Sequence, residues 1–161
     1  MIQANKLTKI FQAGKQEVVA LNGLSLAIPE NSFTLVKGPS GCGKSTLLFT
    51  LGGMLKPSSG EVNLLGDDLY ALPETTRRKL TAKNIGFVFQ AYHLLPYLSA
   101  LENIQLQSKL PFIQHDEQYV QALIEKLQLQ DRMSHKPEQL SIGEKQRVAL
   151  IRSLATHPKI I

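Results

Sequence analysis

Tryptophan is absent from these 161 residues, cysteine occurs once, and aromatic residues make up 6% of the chain. A lone Cys42 excludes an internal disulfide, so stability has to come from a packed core. No apolar run approaches the ~20 residues that span a bilayer. The opening residues Met1, Ile2, Gln3, Ala4, Asn5 and Lys6 carry no apolar signal-peptide core. Repeats and low-complexity segments are also lacking. Charge of one sign is not concentrated: 18 Lys/Arg and 13 Asp/Glu give a net +5, and the densest basic cluster is Arg77, Arg78 and Lys79. That cluster fits a solvated helix face better than a nucleic-acid surface, so no nucleic-acid partner is expected. With 43% hydrophobic residues the chain can build one real core. A soluble, cytosolic protein is the expectation.

What is present is a loop of eight residues. Positions 38–45 read Gly-Pro-Ser-Gly-Cys-Gly-Lys-Ser, the phosphate-binding pattern G-x-x-x-x-G-K-[ST]. Its four fixed positions arise by chance roughly once in a few hundred chains of this size. The context sharpens it: the apolar run Phe33, Thr34, Leu35, Val36 is expected to be a buried strand, and Thr46 to Leu51 a helix. Glycines let the chain curl so that successive N–H groups point inward around a di- or triphosphate. The helix that follows adds its positive N-terminal end. Lys44 is placed to reach the β/γ-phosphates, and the Ser45 hydroxyl to ligate Mg²⁺. The expected nucleotide-binding set is therefore Gly38, Pro39, Ser40, Gly41, Cys42, Gly43, Lys44, Ser45 and Thr46, with Mg²⁺ beside the nucleotide; the resemblance given below implies that the nucleotide is ATP. A thiol in such a loop is expected to be reactive, although a small residue tolerated at a variable loop position explains Cys42 equally well.

Around the loop, Ile2 to Leu7, Val18 to Leu21 and Leu24 to Ile28 are short β-like runs, split by Gln12-Ala13-Gly14-Lys15 and Asn22-Gly23. They predict an antiparallel β layer. Gly52-Gly53 and the Lys56 to Gly60 turn stop the first helix. Glu61 to Leu65 is expected as a strand, Pro73 to Thr81 as a polar helix, and Ile85 to Phe89 as a buried strand ending at Gln90. Beyond Gln90 the pattern turns helical. Ser99 with Glu102 forms a capping box for a helix from Ala100 to Leu106. Val120, Leu123, Ile124 and Leu127 recur at helical spacing within 116–127. Ser141 with Glu144 caps a third helix to about Ala155, and Lys159, Ile160 and Ile161 look like the start of another buried strand.

Three further segments make the chain resemble an ATP-binding cassette (ABC) ATPase. Gln90, ending Gly86-Phe87-Val88-Phe89, resembles the family's Q-loop glutamine. The resemblance implies that it ligates Mg²⁺ and links the nucleotide site to a transmembrane partner. Leu140-Ser141-Ile142-Gly143-Glu144-Lys145-Gln146-Arg147 is similar to the signature Leu-Ser-Gly-Gly-Gln-Gln-Gln-Arg. A capped helix start explains Ser141 and Glu144 but leaves Gly143 unexplained, since glycine is a poor first-turn residue. In the family this helix end covers the γ-phosphate bound to a second subunit, which implies contacts from Ser141 and Gly143. Ile142 replaces a glycine and Glu144 a glutamine, and a carboxylate there faces ATP's own charge. Phe11, after Leu7-Thr8-Lys9-Ile10, matches the aromatic that stacks on adenine. The wording around Gln90 to Pro96, Ser99 to Ile104 and His135 to Gln139 is most similar to the branch serving lipoprotein release and macrolide export.

The resemblance covers essentially the whole chain and implies an α/β fold: a P-loop NTPase (RecA-like) core with an antiparallel β layer and a helical insertion, its C-terminal part missing. The expected divisions are 1–32 for the β layer, 33–90 for the core up to the Q-loop, 91–140 for the helical part, and 141–161 for the signature helix and the start of the next strand. Family members continue into an aliphatic strand ending in Asp-Glu, whose Asp holds the Mg²⁺ shell and whose Glu polarises the attacking water, and then to a switch histidine. His93, His115, His135 and His157 all precede that switch position, so no catalytic residue is assigned within the chain. The expected protein is the N-terminal two-thirds of a transporter ATPase, peripheral on the inner face of the cytoplasmic membrane. Its expected partners are transmembrane permease subunits and a second ATPase subunit. The alternative is a non-hydrolytic nucleotide-binding fragment or regulatory partner of a complete ABC ATPase.

Overall fold

The computed structural model describes every residue except Lys15 and His115. The Lys15 part of the first predicted turn and His115 therefore lie outside the described residues. The chain divides into two units, Met1–Arg78 and Lys79–Ile161.

In the first unit, β1 (Ile2–Ala13) and β2 (Gln16–Ile28) are antiparallel, longer than the sequence runs suggest. With β3 (Ser59–Leu64) and β4 (Asp67–Asp68) they form a sheet in the order β2-β1-β3-β4. Ile2, Ala4 and Leu7 are all buried, although strict alternation would turn residue 7 outward. An extra residue near Lys6 corrects the phase. The register shifts between Ala4 and Leu7, Lys6 takes a left-handed φ of 47°, and its N–H is donated to Ser25 Oγ at 2.9 Å. Asn22-Gly23, expected to end a strand, is instead accommodated inside β2 by a second register shift, with the Gly23 N–H donated to Thr8 Oγ1 at 3.0 Å. Helix α1 (Lys44–Leu51) buries Leu47, Thr50 and Leu51, and Val62, Leu64 and Leu69 are fully buried in the same unit. The Tyr70 hydroxyl lies 2.7 Å from both the Thr50 and Leu55 carbonyl oxygens, and burial pushes its pKa up to about 12.

The strand expected at 33–36 does not form. Residues 32–39 have no regular secondary structure, and Phe33 and Leu35 are 94% and 63% exposed. A buried strand needs neighbours to accept its ladder bonds, and among the described residues none pairs with 33–36. The strand expected at 85–89 is reduced for the same reason: Ile85 alone forms a parallel bridge, to Ile160, and 86–89 are irregular.

Helix α2 (Glu74–Asn84) begins in the first unit and ends in the second. The second unit continues with α3 (Ala100–Ile104), α4 (Glu117–Lys126) and α5 (Ile142–Leu154), plus short 3-10 turns at Gln130–Arg132 and Pro137–Gln139. All three helices fall where the caps and periodicity predict. Ala100, Ile104, Val120, Ile124, Leu129, Leu140, Val148, Ile151 and Ala155 form its core. Asn103, fully buried, accepts the Leu95 N–H at 2.7 Å and donates to the carbonyls of Leu95, Leu98 and Ser99. One amide thus holds the 95–98 turn on α3.

Candidate functional site

The glycine-rich loop sits between the irregular 32–39 segment and α1. Gly43, at the N-cap of α1, has φ 90°, and a Cβ there would lie 2.3 Å from the Ala20 carbonyl oxygen of β2. Both the left-handed turn and the close approach require glycine. Lys44 is the first helical residue, and its ammonium turns back over the loop, 2.9 Å from the Gly38 carbonyl, 2.7 Å from that of Pro39 and 3.8 Å from Cys42 Sγ. Ser40, Gly41, Cys42 and Ser45 are exposed, and Thr46 is half-buried.

The helix caps separate this loop from the starts of α3, α4 and α5. Helices α3, α4 and α5 each close their first N–H groups with a side chain, from Ser99, Asp116 and Ser141. Helix α1 has no side-chain cap and no acidic residue in its first turn. The first four N–H groups of a helix find no partner within it, and at α1 no side chain among the described residues caps them. With Lys44 among its carbonyls, the loop is chemically suited to an anion that accepts several hydrogen bonds at once, as a phosphate does. In the same unit Phe11 is exposed on β1, opposite Val18, with Lys9 Nζ 5.1 Å from its ring centroid.

The second unit carries the other predicted residues. Gln90 is exposed in a turn. The chain leading to it rests against α5: a Cβ on Gly86 would lie 2.4 Å from the Ser153 carbonyl, so only glycine permits this approach. After Gln90, Tyr92 and His93 are both left-handed, at φ 59° and 46°. For two non-glycine residues this costs roughly 1–2 kcal/mol each. The His93 ring stacks on Phe89 with centroids 4.6 Å apart. Arg152 of α5, 9% exposed, donates from Nη1 to the His93 carbonyl at 2.7 Å and from Nη2 to the Tyr92 carbonyl.

At the start of α5, Ser141 and Glu144 complete the predicted capping box. Glu144 Oε2 accepts the Ser141 N–H at 2.7 Å, and Oε1 accepts from Arg132 Nε at 2.7 Å. These bonds hold its pKa near 2, the Ser141 N–H contributing most, followed by Arg132. Glu144 is thereby committed to the cap and paired with Arg132. Gly143 is exposed, and a Cβ there would come no closer than 3.7 Å to any neighbour, Arg147 Nη1. Among the described residues none crowds a side chain at this position. Glu102 is similarly committed, its Oε2 accepting the Ser99 N–H at 2.7 Å.

The sequence alone does not single out Arg132 or Arg152. The available signal for Arg152 is its spacing: it lies four residues after Val148 and next to Ile151, on a face that packs inward. Arg132 carries no local signal, because its partner is on another element.

Residues 21–161 match the family model described as ABC transporter. The chain is 42% identical over its whole length to the uncharacterized ABC transporter ATP-binding protein MJ1508 of Methanocaldococcus jannaschii, of which the match covers 73%. It is likewise 42% identical to the lipoprotein-releasing system ATP-binding protein LolD of Pseudomonas fluorescens, covering 72% of that protein. Among solved structures it is similar to the dimer of MJ0796, a bacterial ABC transporter cassette. The TM-score is 0.89 at 35% identity, over 98% of this chain and 71% of that one. A second structure of MJ0796, a post-hydrolysis dimer bound to ADP and Pi, matches equally well.

Proposed function

The chain belongs to the ABC transporter family as an ATP-binding subunit with the P-loop NTPase α/β fold, and on that premise we propose that residues 38–46 are its nucleotide site. The observation that carries this reading is the uncapped N-terminus of α1 beside an ammonium turned onto its own loop, where three other helices are capped. A triphosphate gives the loop N–H groups and Lys44 better acceptors than the carbonyls the ammonium now touches. Ser45, exposed at the helix start, and Gln90, exposed in its turn, are oxygen-bearing side chains of the kind that suits Mg²⁺. Each, in its own unit, is a candidate ligand, as the family resemblance implies. Bound there, the metal would neutralise phosphate charge. Phe11 offers an exposed ring for the adenine.

In this reading Ser141 and Gly143 face the nucleotide of a second cassette. Gly143 is open to a partner and unneeded by its own fold, and the dimeric state of the similar MJ0796 supports the pairing. Membrane-spanning permease subunits complete the transporter, with the chain peripheral at the inner membrane face. Among the described residues no helix is long and apolar enough to cross a membrane itself. Similarity to LolD supports a role in the lipoprotein-release branch. Hydrolysis needs a carboxylate to orient water. Glu102 and Glu144 are both engaged in caps, so neither is assigned that task.

Calorimetric titration of wild type and Lys44→Ala with ATP tests the site. Loss of detectable binding is expected, and unchanged affinity would refute the assignment. Turnover by the same wild-type preparation distinguishes an ATPase from the second reading, a non-hydrolytic partner of a complete ABC ATPase, which is favoured only if ATP binds and no phosphate is released.

A further inference from the structure

The Arg152 guanidinium is buried in the second unit, and its partners are the carbonyl oxygens of Tyr92 and His93. Among the described residues no carboxylate pairs with it. A charge buried without a counter-ion is an expensive way to fill a core, and an apolar side chain of similar volume would pack without that cost. What a guanidinium adds is a planar fork of donors in fixed geometry. Here the fork reaches two successive carbonyls, both belonging to left-handed residues that follow Gln90 by two and three positions. Those conformations are unfavourable for side-chain-bearing residues and persist only where surrounding structure imposes them. The same helix that carries Arg152 begins at Ser141 and Gly143.

We propose that Arg152 is a positioning residue that clamps the turn bearing Gln90 onto α5, so that Gln90 and the Ser141 to Gly143 helix start are carried by one rigid piece. The clamp itself stands on the geometry; its consequence for nucleotide rests on the reading of Gln90 given under Proposed function. A turn free to relax would have to be ordered when Gln90 ligates a metal, which weakens that bond. The clamp acts through the backbone and touches no nucleotide.

The test uses the whole chain with Arg152→Lys, which keeps the charge but loses the fork, and Arg152→Met, which keeps the bulk. Amide hydrogen exchange reads the turn directly. Both variants are expected to exchange faster at 90–94, on the order of tenfold, with α5 still protected. Unchanged exchange at 90–94 overturns the clamp, as does protection lost equally throughout α5, which marks general destabilisation. The second readout is ATP affinity with Mg²⁺ and with EDTA. Arg152→Lys is expected to lose on the order of tenfold of the gain that Mg²⁺ confers, the scale of losses when a ligand's supporting partner is removed. Affinity in EDTA stays unchanged. Gln90→Ala should lose the same gain, and the double variant no more than Gln90→Ala alone. Multiplying losses overturn the positioning role. If Gln90→Ala leaves the Mg²⁺ gain intact, the metal reading of Gln90 fails, and the exchange data alone decide the clamp.

Discussion

Arg132 and Glu144, twelve residues apart, are joined by a 2.7 Å bond from Nε to Oε1, while the other oxygen of the same carboxylate accepts the Ser141 N–H. One side chain thus caps α5, pairs with the 3-10 turn at Gln130–Arg132, and leaves the adjoining Gly143 exposed.

The first prediction concerns pH. The Glu144 pKa is lowered from 4.5 to about 2 in the folded protein, so the carboxylate binds its proton more weakly than in the unfolded chain. Its contribution to stability is therefore full above about pH 4.5 and is lost as pH falls toward 2. Glu102 and Asp116 are shifted in the same direction, Glu102 chiefly by the Ser99 N–H and Asp116 chiefly by the Tyr119 N–H. Denaturant unfolding from pH 3 to 7 isolates the Glu144 share as the difference between wild type and Glu144→Gln. The wild type is expected to be the more stable at neutral pH, with the gap closing in acid. A gap independent of pH would contradict this.

Gly143→Ala separates folding from function. The added Cβ meets nothing tighter than 3.7 Å, and alanine is the better helix former by up to about 1 kcal/mol. Unfolding free energy is expected to hold or rise slightly, while ATP-dependent dimerisation measured by sedimentation falls. A destabilised monomer would show instead that the fold itself needs this glycine.

Cys42 is exposed, with its sulfur 3.8 Å from Lys44 Nζ. Nucleotide held by Lys44 should shield it. Iodoacetamide labelling followed by mass spectrometry is expected to slow severalfold when ATP is added, and alkylated protein to bind ATP weakly. Equal labelling rates with and without ATP count against the loop as the nucleotide site.

Asn103→Ala removes the amide that serves one N–H and three carbonyls in a fully buried position. Leaving such groups unpaired costs about 1–3 kcal/mol. For a chain this size each kcal/mol lowers Tm by about 2–4 °C. Calorimetric scanning checks it, and an unchanged Tm would mean that water replaces the amide at no cost.

The parts of the molecule that were legible in the sequence are those whose cause is local. The phosphate-loop pattern, the Ser99–Glu102 and Ser141–Glu144 boxes and the apolar spacing of α4 each involve residues a few positions apart. A strand, by contrast, is only half specified by its own residues. The run at 33–36 has the apolar composition of a buried strand, yet without a ladder partner among the described residues it is irregular. The run at 85–89 pairs only at Ile85.

The sequence by itself determined the family, the loop that suits a phosphate, and the starts of the capped helices, because each is written within one turn or one motif. The tertiary structure alone decided that Lys6 shifts β1 so that Leu7 turns inward, that Arg132 neutralises Glu144, and that Arg152 holds the turn after Gln90. That last pairing spans 60 residues. Contacts of this kind depend on which surfaces the folded core brings together, and no local pattern of residues encodes them.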